Sequence, residues 1–312
     1  MIVSASYRSD IPAFYGDWFR ARLAAGFVWV ASPYGGKPYR VDLRSEAVSG
    51  YLFWTRNAEP FRPALEAVAA QGLPFVLHYT VTGYPKPLEP SVVPWERAVR
   101  AMRALAETYG PEVLVWRYDP VIDTDLTGPA WHRETFARIA EALTAGPRPA
   151  IDEVVLSYAQ IYKKTRANTD RAARDHGFAW RDPTDEEKRA LLAELAAIAA
   201  DHGLTASLCA QESLLGPGLT VARCVDAERL SRIANRPIAA RTKGNRPGCL
   251  CAESRDIGAY DSCPHGCTYC YAVRRPALAK ENYRRHDPAG ESLLSKTEAV
   301  VENASSPLEG ED

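Results

Sequence analysis

Apolar residues along most of this chain recur in two alternating rhythms. Short runs rich in Val, Ile, Phe, Tyr and Trp read as buried strands; between them, apolar positions return every three or four residues, as on one face of a helix. Ile2–Ser6 reads as a first strand. Asp10 and Pro12 then open a helix in which Tyr15, Phe19 and Leu23 share a face and Gly26 marks the end. Phe27–Ala31 and Tyr51–Thr55 read as the next two strands, followed by a short helix over Pro63–Gln71 and a strand over Phe75–Val81. The alternation continues with a helix Pro94–Tyr109, a strand Val113–Trp116, a helix Trp131–Ala145 and a strand Ile151–Leu156. The longest helix, Asp185–His202, carries a capping box in Thr184 and Glu187, with Gly203 just past its end. Leu204–Cys209 is again strand-like, and Asp226–Asn235 is helical.

Such alternation argues for a parallel sheet covered by helices, because parallel neighbours need a crossover between them. About seven units in one domain favour an α/β fold of the TIM-barrel-like (β/α) kind over an open sheet. No G-x-G-x-x-G opens a helix, which counts against a dinucleotide-binding sheet. The expected layout is a barrel-like core over residues 1–240 and a Cys-rich segment over 241–286 that closes or caps it. A polar tail over 287–312 is expected to be flexible.

A barrel of this kind gathers its chemistry at the carboxyl ends of the strands. Charged and polar residues fall at those positions: Arg8 and Asp10 after the first strand, Arg56 after Thr55, His78 and Thr80, then Arg117 and Asp119. Ser157, Tyr162, Lys163, Lys164, Gln211 and Glu212 follow the later ones. Arg8, Arg56 and Arg117 are candidates to hold a carboxylate or phosphate of a small anionic substrate. Asp10 and Asp119 are candidates to orient those arginines or to handle protons. Each residue serves equally well as a loop charge, an ion-pair partner or a cap, and Ile11-Pro12 favours the cap for Asp10.

Composition narrows the class. Of 312 residues, 46% are hydrophobic and 25% charged, as in an ordinary soluble globular protein. A net charge of −1 gives no global attraction to nucleic acid or anionic lipid, so a nucleic-acid partner finds little support. Charge within Met1–Asp10 comes too early for a secretory segment, and no apolar run approaches the roughly 20 residues that span a bilayer. A cytoplasmic location is therefore expected, where thiols stay reduced. The seven cysteines then read as metal ligands or buried small residues rather than disulfides.

Their distribution is uneven: none precedes Cys209, and five fall between Cys249 and Cys270. Cys263, Cys267 and Cys270 stand at C-x3-C-x2-C spacing around Pro264 and Gly266, which suits a loop wrapped on a metal cluster. Thiolates are soft ligands that select iron–sulfur clusters or zinc. Three of them leave one iron of a four-iron four-sulfur (4Fe-4S) cubane without a ligand from this loop. A zinc site would need a fourth ligand from Cys249, Cys251 or His265, and a fully ligated cluster would recruit Cys249 or Cys251. Cys209 and Cys224 read as buried and unligated. Cys249 and Cys251 are too close in sequence for a relaxed disulfide.

With Tyr269 before its last cysteine, the motif resembles the C-x3-C-x-aromatic-C signature of radical S-adenosylmethionine enzymes. The resemblance implies S-adenosylmethionine on the open iron, an electron donor as partner, and release of a 5′-deoxyadenosyl radical while the protein positions substrate and excludes water. Glu253, Asp256 and Tyr269, near the cysteines, are the candidates to contact that cofactor, and Glu253 and Asp256 serve equally well as turn residues. The whole chain also resembles a bacterial family, domain of unknown function 1848. The resemblance runs through S-Y-R-S-D-I-P-A-F (Ser6–Phe14), F-W-T-R-N (Phe53–Asn57) and W-R-Y-D-P (Trp116–Pro120), and through the segment from Cys249 to Ala272. That family's cysteines are similar to the radical S-adenosylmethionine motif, and the likeness supplies no reaction.

One departure matters. In ordinary radical S-adenosylmethionine enzymes the cysteine loop follows the first strand, and an acidic Gly-Gly-Glu-like segment follows the next. Here the loop comes last, and Gly35-Gly36-Lys37 lacks the acidic residue. A circular permutation reconciles the two: a final strand near Glu253–Gly258 would present the loop beside the first strand, with a helix from about Tyr271 toward Arg284. Two other functions stay open. One is a barrel hydrolase or isomerase with a structural cluster; the other is a redox- or metal-sensing binding protein with a fully ligated cluster or zinc site.

Overall fold

The computed structural model describes residues 1–32, 36–244, 246 and 248–294. Gly35 and the part of the expected tail beyond residue 294 lie outside the described residues.

Eight strands form one sheet: β1 (Ile2–Ser4), β2 (Gly50–Thr55), β3 (Phe75–Thr80), β4 (Leu114–Val121), β5 (Glu153–Tyr158), β6 (Thr205–Leu208), β7 (Leu219–Val221) and β8 (Ser254–Asp256). The order across the sheet is β7-β6-β5-β4-β3-β2-β1-β8, and every pairing is parallel. Chain order is thus spatial order, except that the last strand returns to lie beside the first, with Ile2 opposite Ser254 and Ser4 opposite Asp256. The helices are α1 (Ile11–Phe14), α2 (Gly16–Ala25), α3 (Arg62–Ala70), α4 (Trp95–Tyr109), α5 (Pro129–Thr144), α6 (Lys163–His176), α7 (Asp185–Asp201), α8 (Ala227–Ala234) and α9 (Pro276–Arg285).

Side chains alternate across a pleated strand, so each strand serves two interiors. Val3, Tyr51, Phe53, Phe75, Leu77, Leu114, Trp116, Val154 and Leu156 pack toward the helices in the larger apolar cluster. On the other face Ile2, Leu52, Val76, Val115 and Val155 meet Ala222, Val225, Leu230, Ile238, Cys251 and Ala252. Burial on both faces is what an all-parallel sheet requires. The second interior holds the segment between β7 and β8, whose backbone joins the two edge strands where Ala252 N–H donates to Val225 O at 2.9 Å.

Most helices form where apolar periodicity predicts them. The capping box of Thr184 and Glu187 opens α7, and Asp10 caps α1 by accepting from Ala13 N–H at 2.9 Å. Four elements differ from expectation. Phe27–Val30 is not in the large sheet: it pairs antiparallel with Tyr39–Asp42, and the eight residues between them in the sequence are too few for the crossover that a parallel neighbour needs. The strand β7 is three residues long, and α6 buries Thr165, Asn168 and Thr169, so its inward stripe carries no apolar signal. The final helix begins at Pro276 rather than near Tyr271. Among the described residues, no helix is long and apolar enough to cross a membrane.

Candidate metal centre

On the face of the sheet away from the surrounding helices, the aliphatic layer gives way to polar groups two residues farther along each strand. Ser4 follows Ile2, Trp54 follows Leu52, His78 follows Val76, Arg117 follows Val115 and Ser157 follows Val155, with Asp256 ending β8. The two-residue period places each of them on the inward face. Ser4, His78, Arg117, Ser157 and Asp256 are all buried.

Asp256 fastens the two strands that the chain's ends bring together. Its carboxylate accepts from Ser6 Oγ at 2.9 Å, Tyr7 N at 3.0 Å, Arg8 Nε at 2.8 Å and Gly258 N at 2.9 Å. Arg8 Nη2 also donates to Asp256 O at 3.2 Å, and the Arg8 guanidinium lies over the Tyr260 ring. Arg8 is therefore half of a buried ion pair that joins β1 to β8.

Beyond Gly258 the cysteine loop is held from three sides. Tyr15 donates its hydroxyl to Ser262 O at 2.5 Å, and the Phe14 ring meets the His265 ring edge-on at 4.6 Å. Residues 84–92 contribute Leu88 O, which accepts from Thr268 N at 3.1 Å, and Ser91 N, which donates to His265 O at 3.2 Å. From α6, Asn168 Nδ2 donates to Val273 O at 3.1 Å. The loop's ends close on each other: Asp261 N donates to Ala272 O at 3.0 Å, and Arg274 N and Nε donate to the Asp261 carboxylate at 2.6 and 2.8 Å.

Two strand-end residues reach the loop directly. Beyond capping α1, Asp10 Oδ2 accepts from His265 Nε2 and from Arg56 N, both at 2.8 Å. Arg56 Nη1 donates to Glu89 Oε1 at 2.6 Å and its Nη2 to the Tyr269 hydroxyl at 2.7 Å, while that hydroxyl donates to the same Glu89 oxygen. Tyr269, the aromatic of the cysteine motif, is thus spent on anchoring the loop. Glu89 lies in a loop between Pro85 and Pro90, with no periodicity or motif to single it out in the sequence.

Arg117 Nε donates to Asp119 at 2.9 Å, and the opposite oxygen of Asp119 accepts from Ser157 Oγ. The Asp119 carboxyl is pushed up by burial, yet it lies net below its ordinary range because Arg117 and the Ser157 hydroxyl favour the anion. His78 Nε2–H donates to Cys224 O at 2.6 Å beneath the stacked Trp54 ring, and its pKa is held well below the usual imidazole range by burial and by Arg117. Of the expected cofactor contacts, Glu253 stands at the amino end of β8. There it pairs with Arg241 at 2.6 Å and Lys243 at 3.1 Å, and the fold does not bring it to the cysteine loop.

Cys263, Cys267 and Cys270 are partly exposed thiols that interact electrostatically with one another. Burial pushes all three up, Cys267 to about 12, against the Arg56 charge beside Cys267 and the Ala272 and Val273 N–H groups at Cys270. Metal binding to such thiols therefore releases protons. Among the described residues no three His, Cys, Asp or Glu side chains converge as ligands of a single ion. A cubane asks for something else: each thiolate takes its own iron. Three soft donors on one clamped loop suit that requirement. The remaining four cysteines are not scattered. Cys209, Cys224 and Cys251, with Cys249, lie in the second interior, and Cys209 Sγ is 3.6 Å from Cys224 Sγ.

A family model described as Domain of unknown function (DUF1848) matches residues 2–272, which takes in all eight strands and all seven cysteines. No curated protein and no solved structure matches the chain.

Proposed function

The chain belongs to the DUF1848 family, and we propose that it is an iron–sulfur enzyme of the radical S-adenosylmethionine type acting on a polar or anionic small molecule. Cys263, Cys267 and Cys270 hold three irons of a 4Fe-4S cluster, and the fourth iron is left to S-adenosylmethionine. The observation that carries this reading is the seating of the three-thiol loop by Asp10, Arg56 and Tyr269, at the carboxyl ends of parallel strands and next to β1. A loop that follows the last strand lies beside the loop after the first, which supports the permuted reading. The finer fold reading is a closed (β/α) barrel, supported by the return of β8 to β1 and by the backbone bond between Ala252 and Val225.

When bound, the cluster and S-adenosylmethionine supply one-electron cleavage of the sulfonium and so a radical able to abstract hydrogen. The chain's own groups position and enclose. Asp256 and Arg8 fix the entry to the loop, and Glu89, Arg56 and Tyr269 fix its far side. Arg56 also sets a positive charge beside Cys267, which favours the thiolate. Arg117, Asp119 and Ser157 form the polar floor on which a substrate is oriented. Each proposed anion-binding arginine is already paired with a carboxylate, so a substrate anion binds by sharing or displacing Asp256, Glu89 or Asp119.

Anaerobic reconstitution followed by iron and acid-labile sulfide assays tests the ligand set. The unaltered chain should hold both in cubane stoichiometry. A chain with Cys263→Ala, Cys267→Ala and Cys270→Ala should hold neither. Equal iron and sulfide in the two would place the cluster elsewhere.

A further inference from the structure

We propose that Cys209, Cys224, Cys249 and Cys251 form a second, mononuclear metal site, a tetrathiolate for one zinc-class divalent ion that ties the two edge strands of the sheet together. The four come from three separate stretches. Cys209 follows β6, Cys224 follows β7, and Cys249 and Cys251 precede β8. The four lie in one cluster: Cys209 Sγ is 3.6 Å from Cys224 Sγ, Cys224 and Cys251 are buried side by side in the second interior, and Cys249 packs against it.

Size selects the ion. Four thiolates about 2.3 Å from a tetrahedral zinc lie roughly 3.8 Å from one another. The 3.6 Å contact of Cys209 with Cys224 is close to that edge. A polynuclear cluster would hold thiolates on different irons farther apart. The surroundings suit thiolates. Arg117 Nη1 donates to Cys224 Sγ at 3.0 Å, Arg246 Nη2 to Cys209 Sγ at 3.5 Å and Val225 N to Cys251 Sγ at 3.3 Å. Two guanidinium groups aimed at sulfur offset the double negative charge of a zinc tetrathiolate, and N–H donors to ligand sulfur are the usual outer support of such sites.

Among the described residues no three of these sulfurs converge on one point. Binding therefore draws the four sulfurs together, and four thiol protons leave to solvent. No ladder pairing joins β7 to β8. The ion would cross this seam, doing with four bonds what a strand ladder does elsewhere in the sheet.

The test uses the full chain with Cys263→Ala, Cys267→Ala and Cys270→Ala, so that the loop proposed to hold iron is silent. Purified without chelator, it should retain stoichiometric zinc by elemental analysis, and adding Cys209→Ser and Cys224→Ser should abolish that zinc. Cobalt(II) added to the metal-free protein should give intense sulfur-to-cobalt charge-transfer bands with tetrahedral ligand-field bands in the red. This readout needs no further substitution. Retention of zinc in this background leaves the site standing even if the unaltered chain, tested separately, shows no S-adenosylmethionine chemistry, a result that removes only the proposed function. Three results would overturn the site: no zinc with a weak, octahedral cobalt spectrum, an iron–sulfur spectrum in this background, or a Cys209–Cys224 disulfide found by mass spectrometry.

Discussion

Arg56, at the carboxyl end of β2, donates its Nη2 to the hydroxyl of Tyr269 inside the cysteine loop at 2.7 Å. One residue at a strand end of the parallel sheet thus fixes the single aromatic of the cysteine motif, and Glu89 closes the triangle by accepting from both. The three groups are buried, so removing any one takes a bond from each of the other two in a place where water does not replace it.

Tyr269→Phe keeps the ring and removes the hydroxyl. The loss should be about 1–3 kcal/mol of unfolding free energy, because a charged donor and a carboxylate each lose a bond. Urea unfolding of the metal-free chain measures it. The reconstituted variant should also release iron faster on exposure to a chelator. Unchanged stability and iron release would mean that the triangle does not hold the loop.

Asp256→Asn should be more damaging. It leaves the Arg8 charge buried without its counter-ion and disturbs the bonds from Ser6, Tyr7 and Gly258. Breaking such a pair from one side costs about 3–5 kcal/mol. The midpoint of urea unfolding reads it. A change within error would show Arg8 to be solvated and the clasp to be unimportant.

Gly258→Ala probes the same clasp sterically. A Cβ at Gly258 would stand 2.0 Å from Ser6 Oγ and 2.6 Å from Ser6 Cβ, both closer than atoms approach. Separating β8 from the loop after β1 should cost on the order of 1–3 kcal/mol. Ser6→Gly in the Gly258→Ala background should restore part of the loss, since it removes the clashing atoms. Failure of that rescue would place the strain elsewhere.

Acid should weaken the fold through buried imidazoles. His132 Nε2 faces Ile122 O, which can only accept, so Nε2 carries the proton and Nδ1 accepts from Tyr118; this neutral form is held by burial at a pKa of about 4. A folded pKa below the unfolded value means that the unfolded chain takes up the proton first. The stabilisation is complete above the unfolded value near 6.5 and is lost as pH falls toward about 4. The gap amounts to about 3 kcal/mol. Urea midpoints at pH 7 and pH 4.5 should therefore differ, and His132→Gln should flatten that slope. An equally steep slope in the variant would assign the acid sensitivity to other groups.

Much of this architecture is legible because the sequence states it locally. Strands β1 to β6 carry contiguous apolar runs, α7 carries its own capping box, and Asp10 sits where a cap belongs. What was not legible depends on distance. The helix α6 turns Thr165, Asn168 and Thr169 inward, so its buried stripe is mostly polar. Phe27–Val30 has strand composition, but only the hairpin with Tyr39–Asp42 decides which sheet it joins. The C-x3-C-x2-C loop announces itself by spacing. Cys209 and Cys224, read as buried and unligated, meet Cys251 only after β6, β7 and β8 are in place. Glu89 and the pairing of Arg8 with Asp256 are likewise products of the fold, and they recast the strand-end arginines as ion-pair partners rather than an open anion cradle.

The most direct test of the central claim is the electron paramagnetic resonance spectrum of the reconstituted, reduced protein before and after S-adenosylmethionine is added, followed by analysis of the products. A cubane signal that shifts on addition, with 5′-deoxyadenosine released and both effects lost with Cys267→Ala, is the result expected of an open iron held by Cys263, Cys267 and Cys270. A cubane signal indifferent to S-adenosylmethionine, with no 5′-deoxyadenosine formed, would contradict the account and leave the loop a fully ligated structural or electron-carrying centre.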